Sequence, residues 1–164
     1  MSLTRRELLK TGAAGVALLT LADCARRTSG AGLDATQKQV VAKIAGVMLD
    51  GAIPSDEPER ALAEAVDGFV IAVAGLPPQT QGEVQQLFML LTFPPTRRLI
   101  AGLPPWTDAT PDDVAAFLTR WRFSGIQLLR SGYDALHQLV MAGWYGNNVS
   151  WPPIGYPGPP EIAG

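Results

Sequence analysis

The sequence predicts an all-α fold, a small bundle of five or six short helices with Pro-rich corners and an extended Pro/Gly/aromatic C-terminal tail. Three observations predict it. Apolar residues recur at helical spacing through the middle of the chain. No stretch alternates cleanly between turn signals, as strands do. Double prolines at 77–78, 94–95 and 104–105 fix abrupt changes of direction. The 164 residues suffice for one domain plus a targeting segment, and 47% apolar against 17% charged residues excludes general disorder. Four units follow: a signal segment over 1–24, a linker over 25–33, a helical domain over 34–143 and a tail over 144–164.

The first helix opens at Asp34, with Gln37 three residues on as in a capping box, and Val40, Val41, Ile44, Val47 and Met48 mark its apolar face. Asp50-Gly51 ends it. Glu57-Pro58-Glu59 opens a second helix with acids where the helix dipole favours them. Residues 66–74 are apolar on nearly every side, which predicts that this helix is central and buried. A third helix spans about 80–92 and ends at Phe93-Pro94-Pro95. A short helix over 96–101 ends at Gly102. Thr110-Pro111-Asp112-Asp113 combines a cap, a proline at the first helical position and first-turn acids. The helix it starts reads on as far as Arg130 across a weak point at Ser124-Gly125, and a last helix covers 133–142.

Composition excludes several function classes. The 13 Lys and Arg nearly balance 15 Asp and Glu, so the chain has no broad basic face for nucleic acid. One His (His137) and one Cys (Cys24) cannot make a zinc site, a c-type haem attachment or an internal disulfide. No Gly-rich phosphate loop is present. His137, beside apolar neighbours on a helix, reads as a packed or surface His. Asp112-Asp113 reads as a dipole pair and Arg97-Arg98 as solvated cations. No catalytic residue, metal site or cofactor is assigned to this chain. A weaker reading places a small-ligand pocket among Trp106, Trp121 and Phe123.

The leader is an address. Thr4-Arg5-Arg6-Glu7-Leu8-Leu9-Lys10 resembles the twin-arginine export motif, with Arg5, Arg6, Leu8, Leu9 and Lys10 on its key positions. Residues 11–22 are apolar apart from two Thr, too short for a stable membrane anchor and of the length of a signal's apolar core. This implies bacterial export to the periplasm. Leu21-Ala22-Asp23-Cys24 resembles a lipoprotein box that would lipidate Cys24, although Asp23 replaces the usual small residue. Cys24 reads equally as a small residue near an ordinary cleavage site. Cleavage after Asp23 leaves 10 basic and 13 acidic residues, a mildly acidic mature chain.

The tail, residues 143–160, reads as non-helical. It holds five prolines, two of the four Trp and two of the three Tyr. Tails rich in aromatics dock on something, either their own domain or a partner. Gly146-Asn147, Trp151 and Ile154-Gly155-Tyr156-Pro157-Gly158 resemble the C-terminal motif of the gluconate 2-dehydrogenase subunit 3 family, whose members also carry a twin-arginine leader on a small helical chain. Tyr145 departs from that motif where a Gly is usual, and the Asn-to-Trp spacer is short.

The resemblance implies a non-catalytic small subunit. It escorts through the twin-arginine translocase a folded, FAD-loaded flavoprotein of the glucose–methanol–choline type, the catalytic subunit of a periplasmic alcohol or sugar dehydrogenase. A cytochrome c subunit commonly takes the electrons. Tail composition and resemblance together single out Trp144, Tyr145, Asn147, Trp151, Ile154 and Tyr156 for partner contact. Ending the chain at Gly143 is then expected to abolish the complex and leave the helical domain folded. The alternative reading is a stand-alone periplasmic lipoprotein, anchored through Cys24, with a scaffolding role.

Overall fold

The computed structural model describes residues 32–159, so the export motif, residues 11–22, Cys24 and most of the linker lie outside the described residues. Among the described residues every regular element is helical. Five helices form the bundle: α1 (Ala35–Met48), α2 (Pro58–Ala74), α3 (Pro78–Thr92), α4 (Pro111–Arg122) and α5 (Gln127–Tyr145). Single turns fill the corners.

Helix α1 starts as its sequence dictates. Gln37 N–H donates to Asp34 Oδ1 at 2.8 Å and Asp34 N–H donates to Gln37 Oε1 at 3.0 Å, so two otherwise orphaned donors are satisfied. Val40, Val41, Ile44 and Ala45 face the core. Gly51, at φ 77°, takes the left-handed turn that leads away from the helix.

Helix α2 is central, packing chiefly on α5 and also on α1 and α3. It is not buried on all sides as expected. Ala61, Ala65, Val66, Phe69 and Val73 are buried, whereas Asp67 and Ala74 are exposed and Ile71 is 72% exposed. Packing on α5, α1 and α3 leaves one side of even this central helix to solvent. The α2–α5 crossing depends on two glycines. A Cβ on Gly143 would stand 2.5 Å from the Phe69 backbone nitrogen, and one on Gly68 would strike the Gly143 carbonyl.

Helix α3 begins at Pro78, two residues earlier than expected, and ends before Pro94. Residues 94–101 then form one α turn (Pro94–Thr96) running into a π turn (Arg97–Ala101), closed by Gly102 at φ 63°. This corner is tied to its surroundings by tryptophan donors. Trp106 Nε1–H donates to Leu91 O at 2.8 Å, and Trp121 Nε1–H donates to Ile100 O at 3.3 Å. Aromatic rings meet edge to face through the core: Phe69 with Phe88, Trp106 with Phe117, and Phe117 with Trp121 at 4.8 Å between centroids.

Helix α4 carries the second capping box, between Thr110 and Asp113, and stops at Arg122. The chain breaks where Ser124-Gly125 is weak, with Ser124 Oγ accepting from Ile126 N–H at 3.1 Å. Helix α5 then runs 19 residues, beyond the expected 133–142 at both ends. The tail therefore begins later than residue 143. Gly143, Trp144 and Tyr145 are helical, and Trp144 is 1% exposed, a full member of the core. Both corrections share a cause. Gly143 is a breaker in isolation, but the close approach of α2 favours a residue without Cβ, and burial of the Trp144 indole carries the helix past it. Removing residues 144 onward would take that indole out of the core, so a domain ending at Gly143 is not expected to stay intact.

Candidate functional site

The C-terminal residues form a small knob at the end of α5. Two 3₁₀ turns, Asn148–Ser150 and Pro152–Ile154, replace the wholly extended arm expected from the prolines, and the chain is extended only from residue 156. Asn147 organises the knob. Its Oδ1 accepts from Val149 N–H at 3.1 Å, capping the first turn, and its Nδ2 donates to Glu64 Oε2 on α2 at 2.9 Å. Its carbonyl accepts the Ser150 hydroxyl at 2.7 Å, and Ser150 is 1% exposed, so that buried hydroxyl is satisfied. Trp151 Nε1–H donates to Tyr145 O at 3.0 Å, bringing the indole back against the end of α5.

The Gly-Tyr-Pro-Gly segment wraps around Trp151. Gly155, at φ 68°, reverses the chain, and Tyr156 N–H donates to Trp151 O at 3.0 Å. The Tyr156 ring then meets the indole edge to face at 5.3 Å. Gly158, at φ 101°, passes close enough that a Cβ would lie 3.1 Å from the indole. Asn, Trp and the two glycines thus form one unit, with Ile154 58%, Tyr156 45% and Tyr145 43% exposed on its outer side.

Beside the knob, a surface groove of about 450 Å³ runs between α2 and the end of α5. Glu64, Asp67, Ile71, Asn147 and Trp151 line it, so its wall mixes carboxylates with apolar surface. Of the six residues singled out for partner contact, five meet at the knob. The sixth, Trp144, lies beneath it and is withdrawn from any partner by burial. Glu64 and Ser150 were not singled out. Glu64 has no local signal, since its partner is 83 residues away. Ser150 sits in Asn148-Val149-Ser150 but becomes informative only when the turn folds.

The other sequence candidates are dispersed. His137 is half-buried and stacks on Tyr133 at 5.8 Å. Asp113 belongs to the α4 cap, where the Thr110 backbone N–H and hydroxyl hold its carboxyl below the usual range. Arg97 and Arg98 lie on the π turn; Arg98 is exposed as expected, but Arg97 is partly buried, with its Nε closed off from solvent and without a hydrogen-bond partner among the described residues. Trp106 and Trp121 are closed into the core, while Phe123 is 74% exposed, so these three enclose no common pocket. Trp121 does floor an apolar groove of about 380 Å³ between α3 and α5, walled by Leu87, Leu90, Leu128 and Leu129. Among the described residues no group of three or more His, Cys, Asp and Glu side chains comes together as a metal cluster. No protein-family model, curated protein or solved structure matches the chain.

Proposed function

We propose that this chain is the small accessory subunit of an exported flavin-dependent alcohol or sugar dehydrogenase. It binds and stabilises the FAD-bearing catalytic partner and carries it through the twin-arginine translocase into the periplasm. The reading rests on the likeness of the two ends of the sequence to the gluconate 2-dehydrogenase subunit 3 family. The observation that carries it is the knob. The residues that bear the resemblance (Asn147, Trp151, Gly155, Tyr156 and Gly158) are joined by hydrogen bonds and ring contacts into one structure. That structure holds Ile154 and Tyr156 outward at little further entropic cost, as an anchor for a partner requires.

Co-expression with a glucose–methanol–choline-type flavoprotein from the same genome tests the reading. Ile154→Asp combined with Tyr156→Ala is expected to lose the yellow co-purifying partner while leaving the unfolding midpoint of the isolated chain unchanged. Arg5→Lys with Arg6→Lys is expected to hold both proteins in the cytoplasm. Export of the partner from that double variant would sink the escort role. A colourless, solitary protein acylated at Cys24 would establish the lipoprotein reading instead.

A further inference from the structure

Residues 84–107 and 114–133 contain no Asp or Glu. They carry five of the eight basic residues between 32 and 159: Arg97, Arg98, Arg120, Arg122 and Arg130. The fold brings these stretches together. Arg120 donates to Ala101 O and Trp121 to Ile100 O, which clamps the end of α4 onto the π turn. Arg122 lies over the rings of Phe123 and Tyr133, at 5.3 and 5.8 Å, and Arg130 donates to Ser124 O at 2.5 Å. Among the described residues, the ion pair is Arg60 with Glu57, and none of these five arginines has a carboxylate partner. Of the twelve acids between 32 and 159, nine lie in residues 50–67 and 108–113 and one caps α1, while Glu83 and the exposed Asp134, one turn beyond Arg130 on α5, border the two acid-free stretches.

The same end of the bundle exposes its largest apolar side chains. Leu99 is 84% exposed, Phe123 74%, Leu128 72%, Ile126 61% and Phe93 55%. Single exposed apolar residues are ordinary, but five around the joined π turn and α4–α5 corner, beside guanidinium groups without a carboxylate partner among the described residues, give this end a defined chemistry. They stand out from turns and a helix start rather than lining a deep cavity. Glu83, on the rim of the groove beside Leu128, is the carboxylate nearest the patch along α3. Guanidinium heads on apolar stems can reach phosphate while Leu, Ile and Phe enter the acyl boundary. The surface potential of an acidic leaflet attracts such a face. No helix among the described residues is long and apolar enough to cross a membrane, so contact of this kind would be peripheral.

We propose that this end of the bundle docks on the surface of a membrane rich in acidic phospholipid, with Leu99, Phe123 and Leu128 entering the interface and Arg98 and Arg122 on the headgroup phosphates. The proposal is independent of the escort reading. The test uses the full chain with Cys24→Ser and an environment-sensitive fluorophore on a single cysteine at Leu99→Cys, Phe123→Cys or, as a control in the acidic groove, Ile71→Cys. All three sites are more than 70% exposed, so the label need not disturb the core.

Vesicles of equal parts phosphatidylglycerol and phosphatidylcholine are expected to shift emission to the blue at positions 99 and 123 and not at 71. Salt should reverse the shift, and Arg98→Gln with Arg122→Gln should weaken vesicle binding about tenfold or more. Co-sedimentation with labels 99 and 123 still in water would overturn the proposal, because the leader alone would then hold the protein. An equal shift with pure phosphatidylcholine would overturn it too. So would labels that ignore vesicles and respond only to a co-purified protein, which would make this face a protein interface.

Discussion

Gly143 and Gly46 are both glycines inside helices, and their surroundings predict opposite responses to the same substitution. Gly143 meets the α2 backbone so closely that a Cβ would lie 2.5 Å from Phe69 N and 2.7 Å from Gly68 C. Backbone cannot step aside as a side chain can, so Gly143→Ala should push α5 away from α2 and destabilise the fold by about 1–3 kcal/mol. Gly46 has nothing within 4 Å of where its Cβ would be and is exposed on α1. Gly46→Ala should stabilise by roughly 0.5–1 kcal/mol, since only the helix-propensity term changes. Urea unfolding of both variants beside the parent chain checks the pair, and the same sign for both would refute the assigned crossing. The sequence marked Gly143 as the end of the helix because a glycine flanked by a later Pro-rich run looks like punctuation. Close approach of a second helix, invisible in one dimension, gives that glycine its other meaning.

The two helix starts with side-chain caps were legible because their chemistry is local. The Asp34–Gln37 and Thr110–Asp113 boxes lie within four residues, and both form as their sequences imply. The uncapped start of α5, like its end, depended on packing. The long α5 could not be bounded from residues 127–132 alone, because the contacts that hold this stretch, such as Gly132 against the Trp121 ring, come from another helix. The Thr110 box also has a pH signature. Thr110 N–H donates to Asp113 Oδ2 at 3.0 Å and its hydroxyl does so at 2.8 Å, which lowers the carboxyl's pKa in the folded state. A depressed carboxylate contributes stability above its unfolded pKa, about 4, and loses it as pH falls through the folded value. Asp113→Asn keeps an acceptor but removes the charge. The stability difference between parent and variant should therefore be largest at neutral pH and shrink toward about pH 3. Thr110→Ala, which removes the cap itself, should cost about 1 kcal/mol. Urea midpoints across that pH range check both, and a difference that grows on acidification would rule out this account of the cap.

At the scale of the whole molecule, the fold class was readable from periodicity and proline punctuation, and the tail was readable as the place where aromatic residues collect. The division between core and site was not. Trp144 and Trp151 stand seven residues apart in a Pro- and Gly-rich stretch, yet one belongs to the core with Trp106 and Trp121 and the other to the knob. Helix continuation through Gly143 decides this, and that continuation depends on Gly68 in a helix 75 residues earlier. The Glu64–Asn147 hydrogen bond has the same long-range origin. The division predicts how two truncations separate folding from the proposed escort role. A chain ending at Gly143 loses the Trp144 indole, comparable to a Trp→Ala change of about 3–5 kcal/mol, and should unfold at a markedly lower urea concentration. A chain ending at Trp151 keeps Trp144, Val149 and Ser150 in place and loses Ile154, Tyr156 and the glycine wrap. Its far-UV circular dichroism and unfolding midpoint should stay near those of the full chain, while co-purification of the flavoprotein is lost. Retention of the partner by the chain ending at Trp151 would limit the knob to covering its own domain. Equal loss of stability in both truncations would mean that the wrap around Trp151 is part of the core rather than a presented surface.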